Sequence, residues 1–214
     1  MRGLVLGAAP LGKSDYVSGY LRPDDMVLCA DGGLRHARAL GLRFHALIGD
    51  ADSGGRWPPP GTSVIRLPRE KDQTDLQACL DYGLQNGCDE FLMLGCGGGP
   101  RLDHFLGNLG LLEYCAEKGA RAQIVDARHE IRLHTGGVMT IANPDAFVYL
   151  SLIPLDGCIS GVTLRGLRFS LTDAELRRTE TLGLSNEPLG TGEPVEIAIA
   201  RGRALVVQAV RKRA

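Results

Sequence analysis

Several short loops that follow apolar runs carry carboxylates. Asp31 closes the run MVLCA at residues 26–30. Asp50 and Asp52 lie in GDADSGG, and Asp72 and Asp75 lie in REKDQTDLQACL beside Lys71. Asp103 lies in GCGGGPRLDHFLGNL beside Arg101 and His104. If the apolar runs are strands of one parallel sheet, their C-terminal ends share an edge, and such sheets bind ligands at that edge. Like charges brought into one crevice repel unless a counter-charge intervenes. A hard cation with oxygen ligands meets that need, and Mg2+ suits carboxylates combined with substrate phosphates. Lys71 and Arg101 can hold phosphate oxygens. The run Gly97–Gly99 lets backbone approach a ligand closely, ahead of a helix whose first N–H groups face an anion. The set supports Mg2+-dependent phosphate chemistry. Asp72 and Asp75 also have a plain structural use, as caps for the helix that follows them, so the reading rests on the three loops together.

A competing signal stands near the N-terminus. GAAPLGKS, residues 7–14, fits the phosphate-binding pattern G-x-x-x-x-G-K-[ST]. That pattern needs its Lys and Ser at the start of a substantial helix. Here Pro23 ends any helix that begins at Ser14 after about two turns. Pro10 removes an N–H from the loop that would cradle phosphate, and the three acidic loops are left without a role. The alternative is a strand-to-helix turn that lines the same sheet edge.

The elements that must position these loops follow from the hydrophobic pattern. Strands are expected at Leu4–Leu6, Met26–Ala30, Ala46–Ile48, Val64–Leu67, Glu90–Leu94 and Ala122–Val125. Helices are expected at Ser14–Leu21, Leu34–Leu40 with Gly41 at its C-cap, Thr74–Gln85 and about His104–Lys118. Alternating strands and helices imply a helix-covered parallel sheet. After about Arg128 the pattern changes to short β-rich runs: Val138–Ile141, Ala146–Ile153, Gly161–Arg165, Pro194–Ala200 and Ala204–Ala209. These read as an all-β sandwich. The fold expected is an α/β domain over residues 1–130 followed by a smaller β-sandwich domain over residues 131–214.

Composition narrows the function classes. With 214 residues, 44% of them hydrophobic, the chain can build a core without disulfides. A net charge of −1 supplies no bulk attraction to nucleic acid or membrane. The six cysteines form no C-x-x-C pair and no cluster with His, which argues against a zinc site. A reducing cytoplasm is the simplest setting. No stretch approaches the ~18 apolar residues of a membrane span.

In order along the chain, the motifs resemble those of the thiamine pyrophosphokinase (thiamine diphosphokinase) family. ADGG at residues 30–33 and KDQTD at residues 71–75 match the family patterns. GDADS at residues 49–53 resembles G-D-F-D-S, with Ala51 where an aromatic is usual. GGGPRLDHFLGNL resembles G-G-R-x-D-H-x-L-x-N-L, with Pro100 inserted before Arg101. GVTLRGLRFSL and LGLSNEP resemble the family's C-terminal β-domain.

The resemblance implies transfer of pyrophosphate from ATP to the thiamine hydroxyl, giving thiamine diphosphate and AMP. It implies a homodimer with the thiamine site between subunits. It implies Mg2+ held by Asp50, Asp52 and Asp75, and nucleotide or phosphate contacts from Asp31, Gly32, Lys71, Asp72, Gln73, Thr74, Arg101 and His104. Asp103 or one of the first two acids would accept the hydroxyl proton. Ser185 and Asn186 would touch thiamine, although the pair also favours a β-turn. A flat, cationic substrate calls for an aromatic or acidic partner, with Trp57, Tyr149, Phe169 and Glu187 as candidates. A pterin-type diphosphokinase on a related scaffold, a P-loop-type nucleotide phosphotransferase and a nucleotide-binding regulator without catalysis are the rival readings.

Overall fold

The structure is a computed structural model and describes residues 1–49, 63–68, 70 and 72–210. The chain divides into two units, Met1–Ala127 and Arg128–Ala214.

The first unit is built on six parallel strands: β1 (Arg2–Leu6), β2 (Met26–Ala30), β3 (Ala46–Gly49), β4 (Ser63–Arg66), β5 (Glu90–Leu94) and β6 (Arg121–Val125). Their spatial order is β4-β3-β2-β1-β5-β6. The chain winds outward from β1 through β4, then crosses back to lay β5 on the other side of β1. That reversal places a switch point between β1 and β5, where an open α/β sheet offers its crevice.

Strand period sends alternate side chains to opposite faces. Leu4, Leu6, Val27, Cys29, Leu47, Leu92, Leu94 and Val125 form one buried face with Leu34 and Ala37 of α1 (Leu34–Ala39). Leu28 and Phe91 lie on the other face, against Gly83 of α2 (Asp75–Gln85). Beside α2 runs α3 (Leu102–Glu117), and the Tyr114 hydroxyl of α3 donates to Asp81 of α2. Helix α1 ends as its sequence suggests: Leu40 is the C-cap and Gly41, at φ 65°, follows it. The Gly41 and Leu42 N–H groups return to the Arg38 and Ala37 carbonyls at 3.1 and 2.9 Å, which satisfies two carbonyls of the last turn.

A buried ion pair fixes the start of β1. The Arg2 guanidinium grips both carboxylate oxygens of Asp25 at 2.6 and 2.7 Å and also donates to the Tyr20 carbonyl. Arg2 and Asp25 are each 6% exposed. Removing one partner strands the other charge without solvent, so Asp25→Ala is expected to cost about 3–5 kcal/mol. A denaturant titration that found no shift in midpoint would contradict this.

The second unit is all antiparallel. One sheet section has the order β7 (His129–His134), β13 (Ala204–Val210), β9 (Phe147–Pro154). The other has the order β11 (Leu171–Arg177), β10 (Cys158–Arg165), β12 (Val195–Ile199), β8 (Gly137–Ile141). Leu150, Leu152, Ala204 and Val206 from the first meet Ile141, Val162, Leu164, Val195 and Ile197 from the second in one core. The expected architecture, a parallel-sheet α/β unit followed by an antiparallel β unit, is the one observed.

Three expectations change. The helix expected at Ser14–Leu21 is a 3-10 helix over Ser14–Gly19. Strand β7 was not expected, because Glu130, Arg132 and His134 break its apolar character, although Glu130 and His134 are buried. Strand β11 was not expected either, since Leu176 is its one fully buried side chain.

Candidate active site

Why β2 ends in Asp-Gly-Gly is a matter of clearance. Asp31–Gly33 form a 3-10 turn that leads directly into α1. A Cβ on Gly33 would stand 1.9 Å from the Leu6 carbonyl oxygen, and one on Gly32 would stand 3.1 Å from Ala8 Cβ. Glycine therefore lets the start of α1 lie against the end of β1. Asp31 itself adopts φ 40°, a left-handed conformation uncommon for a residue with a side chain. The end of β3 is equally tight, since a Cβ on Gly49 would reach within 2.8 Å of Asp31 Cβ. Asp50 and Asp52, next along the chain, lie outside the described residues, as do Lys71 and Trp57.

A cavity of about 640 Å3 opens at this edge of the sheet. Asp31, Thr74 and Asp75 line it together with Gly7–Pro10, Arg35, Cys96, Gly98, Gly99 and one face of α3. It sits over the C-terminal ends of β1, β2 and β5, at the switch point. The α3 side of the lining comprises Arg101 at the helix's N-cap and His104, Phe105 and Asn108 within the helix. These are spaced i, i+3, i+4 and i+7, so a single helical stripe supplies them all.

Thr74 caps α2: its hydroxyl accepts from the Gln77 N–H at 3.2 Å. The cap is thus neither Asp72 nor Asp75. Asp75 occupies the first position of the helix and lines the cavity, where the positive end of the helix favours its charge. Asp72 is exposed and Gln73 half-buried, and neither they nor Gly32 are among the lining residues. Asp103 is also absent from the lining residues. Its carboxylate is held by Arg101 through two hydrogen bonds of 2.9 and 2.6 Å. That guanidinium keeps Asp103 well below the usual carboxylate range.

The GAAPLGKS segment supplies the wall of the cavity, and it is not a phosphate cradle. The Gly7 and Ala9 N–H groups are spent on the Leu94 and Gly95 carbonyls, each at 2.8 Å, extending the β1–β5 ladder. Pro10 has no N–H, and the helix after Ser14 is a six-residue 3-10 turn. Residues Gly7–Pro10 therefore line the site without wrapping a phosphate, in line with the alternative reading of that segment.

Several residues that shape this cavity carry no sequence-based role. Arg35 donates to the Ala8 carbonyl, and His36 Nε2 donates to the Ala9 carbonyl at 2.9 Å. Asn108 Nδ2 donates to the Cys96 carbonyl at 2.8 Å and so ties the glycine-rich loop to α3. Asn108 lies inside the FLGNL motif, where its seven-residue distance from Arg101 was the available signal. Cys96 is inert: burial pushes its thiol up to about 12.

In the second unit the Ser-Asn pair forms a compact clamp. Asn186 is 6% exposed. Its Oδ1 accepts from the Phe169 and Glu187 N–H groups at 3.0 Å each, and its Nδ2 donates to the Phe169 carbonyl at 2.8 Å. Its backbone pairs with Leu150. Ser185 is exposed at φ 57°, its N–H donating to Ser151 Oγ at 3.0 Å. The structure thus brings Phe169, 61% exposed, to the Ser185-Asn186 segment. Tyr149, beside Leu150, is 46% exposed. Because the Asn186 amide is consumed by backbone, Asn186→Ala leaves three backbone groups short of partners. A loss of about 1–3 kcal/mol is expected, read as a lower thermal midpoint. An unchanged midpoint would count against the clamp.

Comparison with known proteins agrees with this two-part organisation. Residues 17–124 match the model of the thiamin pyrophosphokinase catalytic domain, and residues 129–203 match that of the thiamin pyrophosphokinase vitamin B1 binding domain. A thiamine pyrophosphokinase of Bacillus subtilis is 35% identical over 118 residues, 55% of each chain. Thiamine pyrophosphokinase 2 of Arabidopsis thaliana is 28% identical over 140 residues, 59% of this chain and 49% of that protein. The matched segments span about half the length of these two relatives. The crystal structure of thiamine pyrophosphokinase from B. subtilis superposes with a TM-score of 0.89 at 25% identity, covering 98% of this chain and 99% of that one. That of Geobacillus thermodenitrificans gives 0.84 at 26% identity, covering 99% and 98%.

A parallel-sheet unit with an acid-lined crevice, followed by an antiparallel unit, defines a two-part α/β-plus-β protein. The chain belongs to the thiamin pyrophosphokinase family, and it carries both the catalytic and the vitamin B1-binding parts.

Proposed function

We propose that the chain transfers the pyrophosphoryl group of ATP to the hydroxyl of thiamine, giving thiamine diphosphate and AMP. The observation that carries this is the crevice at the β1–β5 reversal, where Asp31, Asp75, Arg35, Arg101 and His104 meet in a chain that also has a vitamin B1-binding part. The hydroxyl oxygen attacks the β-phosphorus. The bond from that phosphorus to the bridging oxygen breaks, and the oxygen leaves with AMP. Positioning and charge stabilisation supply most of the rate in such transfers.

Asp75 lines the crevice and is a hard oxygen donor of the kind Mg2+ takes. Among the described residues no three His, Cys, Asp or Glu side chains stand together as a metal site. In line with the family resemblance, Asp50, Asp52 and Asp75 would hold Mg2+. When bound, Mg2+ offsets the negative charge on the phosphates. Lys71, Arg101 and His104 hold phosphate oxygens, with Asp31 and Thr74 at the nucleotide. Asp103, Asp50 or Asp52 would accept the hydroxyl proton.

Residues 1–130 would form the nucleotide part and residues 131–214 the thiamine part. Ser185 and Phe169 would meet thiamine directly, with Asn186 holding both in place. The family resemblance implies a homodimer with the thiamine site at its interface. Cytoplasmic placement is supported by free thiols at all six cysteines, five of them buried. No described helix is long and apolar enough to cross a membrane.

The rival acceptor is a pterin alcohol. Turnover of ATP with thiamine and with hydroxymethylpterin separates the two. AMP release that depends on thiamine alone supports the reading, and release that depends on the pterin alone overturns it.

A further inference from the structure

We propose that Arg35 is a phosphate-binding residue of the crevice. The inference deepens the proposed function and rests on ATP being the donor. Two guanidiniums line the cavity, those of Arg35 and Arg101. Arg101 presents its fork to Asp103, where two hydrogen bonds already engage it. Arg35 is exposed, and among the described residues its hydrogen bond goes to one neutral acceptor, the Ala8 carbonyl. A guanidinium carries five donors in a planar fork. The bond to Ala8 uses one of the five donors, and Arg35 lines a cavity that also holds two carboxylates, Asp31 and Asp75.

The placement of Arg35 is fixed by the same close approach that explains the glycines. Gly33 brings α1 against the Leu6 carbonyl, and Gly32 brings it against Ala8. Arg35 lies two residues beyond Gly33 on α1, and its contact with Ala8 keeps the guanidinium at the cavity wall. His36, its neighbour, holds the Ala9 carbonyl in the same way but does not line the cavity. The two residues thus share a structural task, and Arg35 alone has a second one. A phosphate oxygen is a stronger partner than a carbonyl, since it is anionic and a phosphate can take the guanidinium fork through two parallel bonds. A polyphosphate entering the crevice would meet a charged donor already in position.

The test compares Arg35→Gln, Arg35→Lys and His36→Asn with the wild-type chain in steady-state turnover of ATP and thiamine, with inorganic pyrophosphate as a competitive probe. For Arg35→Gln the KM for ATP and the inhibition constant of pyrophosphate are expected to rise about 10- to 100-fold. The KM for thiamine should stay within about twofold of wild type if binding energy is lost at the phosphates alone. Arg35→Lys, which keeps the charge but loses the fork, should fall between. His36→Asn should change thermal stability without this selective loss. An Arg35→Gln enzyme whose ATP and pyrophosphate constants stay within twofold of wild type would overturn the proposal. So would a loss shared equally by ATP and thiamine, or one that His36→Asn reproduces. Failure of the underlying function looks different, because the wild-type chain itself would then show no ATP turnover with thiamine and no inhibition by pyrophosphate.

Discussion

Asp75→Asn is expected to lower kcat about 10²- to 10³-fold, the range seen when one charged or donor group that stabilises a transition state is removed. The substitution conserves shape and leaves Thr74, which caps α2, in place. It removes a negative charge from the first turn of α2, so the expected cost in stability is only about 0.3–1 kcal/mol. This asymmetry is the point of the experiment, because a carboxylate kept only for folding would show the reverse. Steady-state rates measured across a range of Mg2+ concentrations, alongside a thermal melt, distinguish the cases. Near wild-type turnover at saturating Mg2+ would remove Asp75 from the metal set.

Gly33→Ala is expected to cost about 3–4 kcal/mol and to abolish activity where the chain still folds. Its φ of −61° suits any residue, so the cause is space alone. A methyl group would stand 1.9 Å from the Leu6 carbonyl oxygen and 2.6 Å from its carbon. Neither neighbour is a flexible side-chain tip, so α1 must withdraw from the end of β1. That movement would take Asp31 and Arg35 with it, since both flank Gly33. Gly32→Ala is the control: its new contact is a Cβ at 3.1 Å, which a small shift relieves. A Gly33→Ala protein with wild-type midpoint and rate would show that the close approach is not required.

Much of this architecture could be read from the sequence where apolar patterning decides it. Met26–Ala30 and Glu90–Leu94 were expected with the ends they have, because buried parallel strands read as unbroken apolar runs. The sheet edge that carries the acids followed from topology rather than from any single residue. Strand β7 stayed hidden because its buried positions include Glu130 and His134. The His134 ring is satisfied in place, its Nε2 donating to the Ile197 carbonyl at 3.0 Å, and such partners are invisible in sequence.

Site residues divided in the same way. Asp31, Asp75, Arg101 and His104 were expected at the crevice and line it. The cap of α2 could not be chosen among neighbours that can all serve, and Thr74 took it. The absence of Asp103 from the cavity lining depends on where α3 begins. One residue separates Asp103 from the stripe that Arg101, His104, Phe105 and Asn108 form. Arg35, His36 and Asn108 act on carbonyls of segments far along the chain, a pairing that only the folded structure reveals. Asn186 shows the converse: a β-turn residue and a substrate contact were the two readings offered, and its side chain is committed to Phe169 and Glu187.

The most direct test of the central claim is the identity of the nucleotide product. Purified protein is incubated with adenine-labelled ATP, Mg2+ and thiamine, and the products are separated by chromatography. Pyrophosphoryl transfer predicts AMP and thiamine diphosphate in equal amounts. ADP with thiamine monophosphate would mean attack at the terminal phosphate, and would contradict pyrophosphoryl transfer in this crevice.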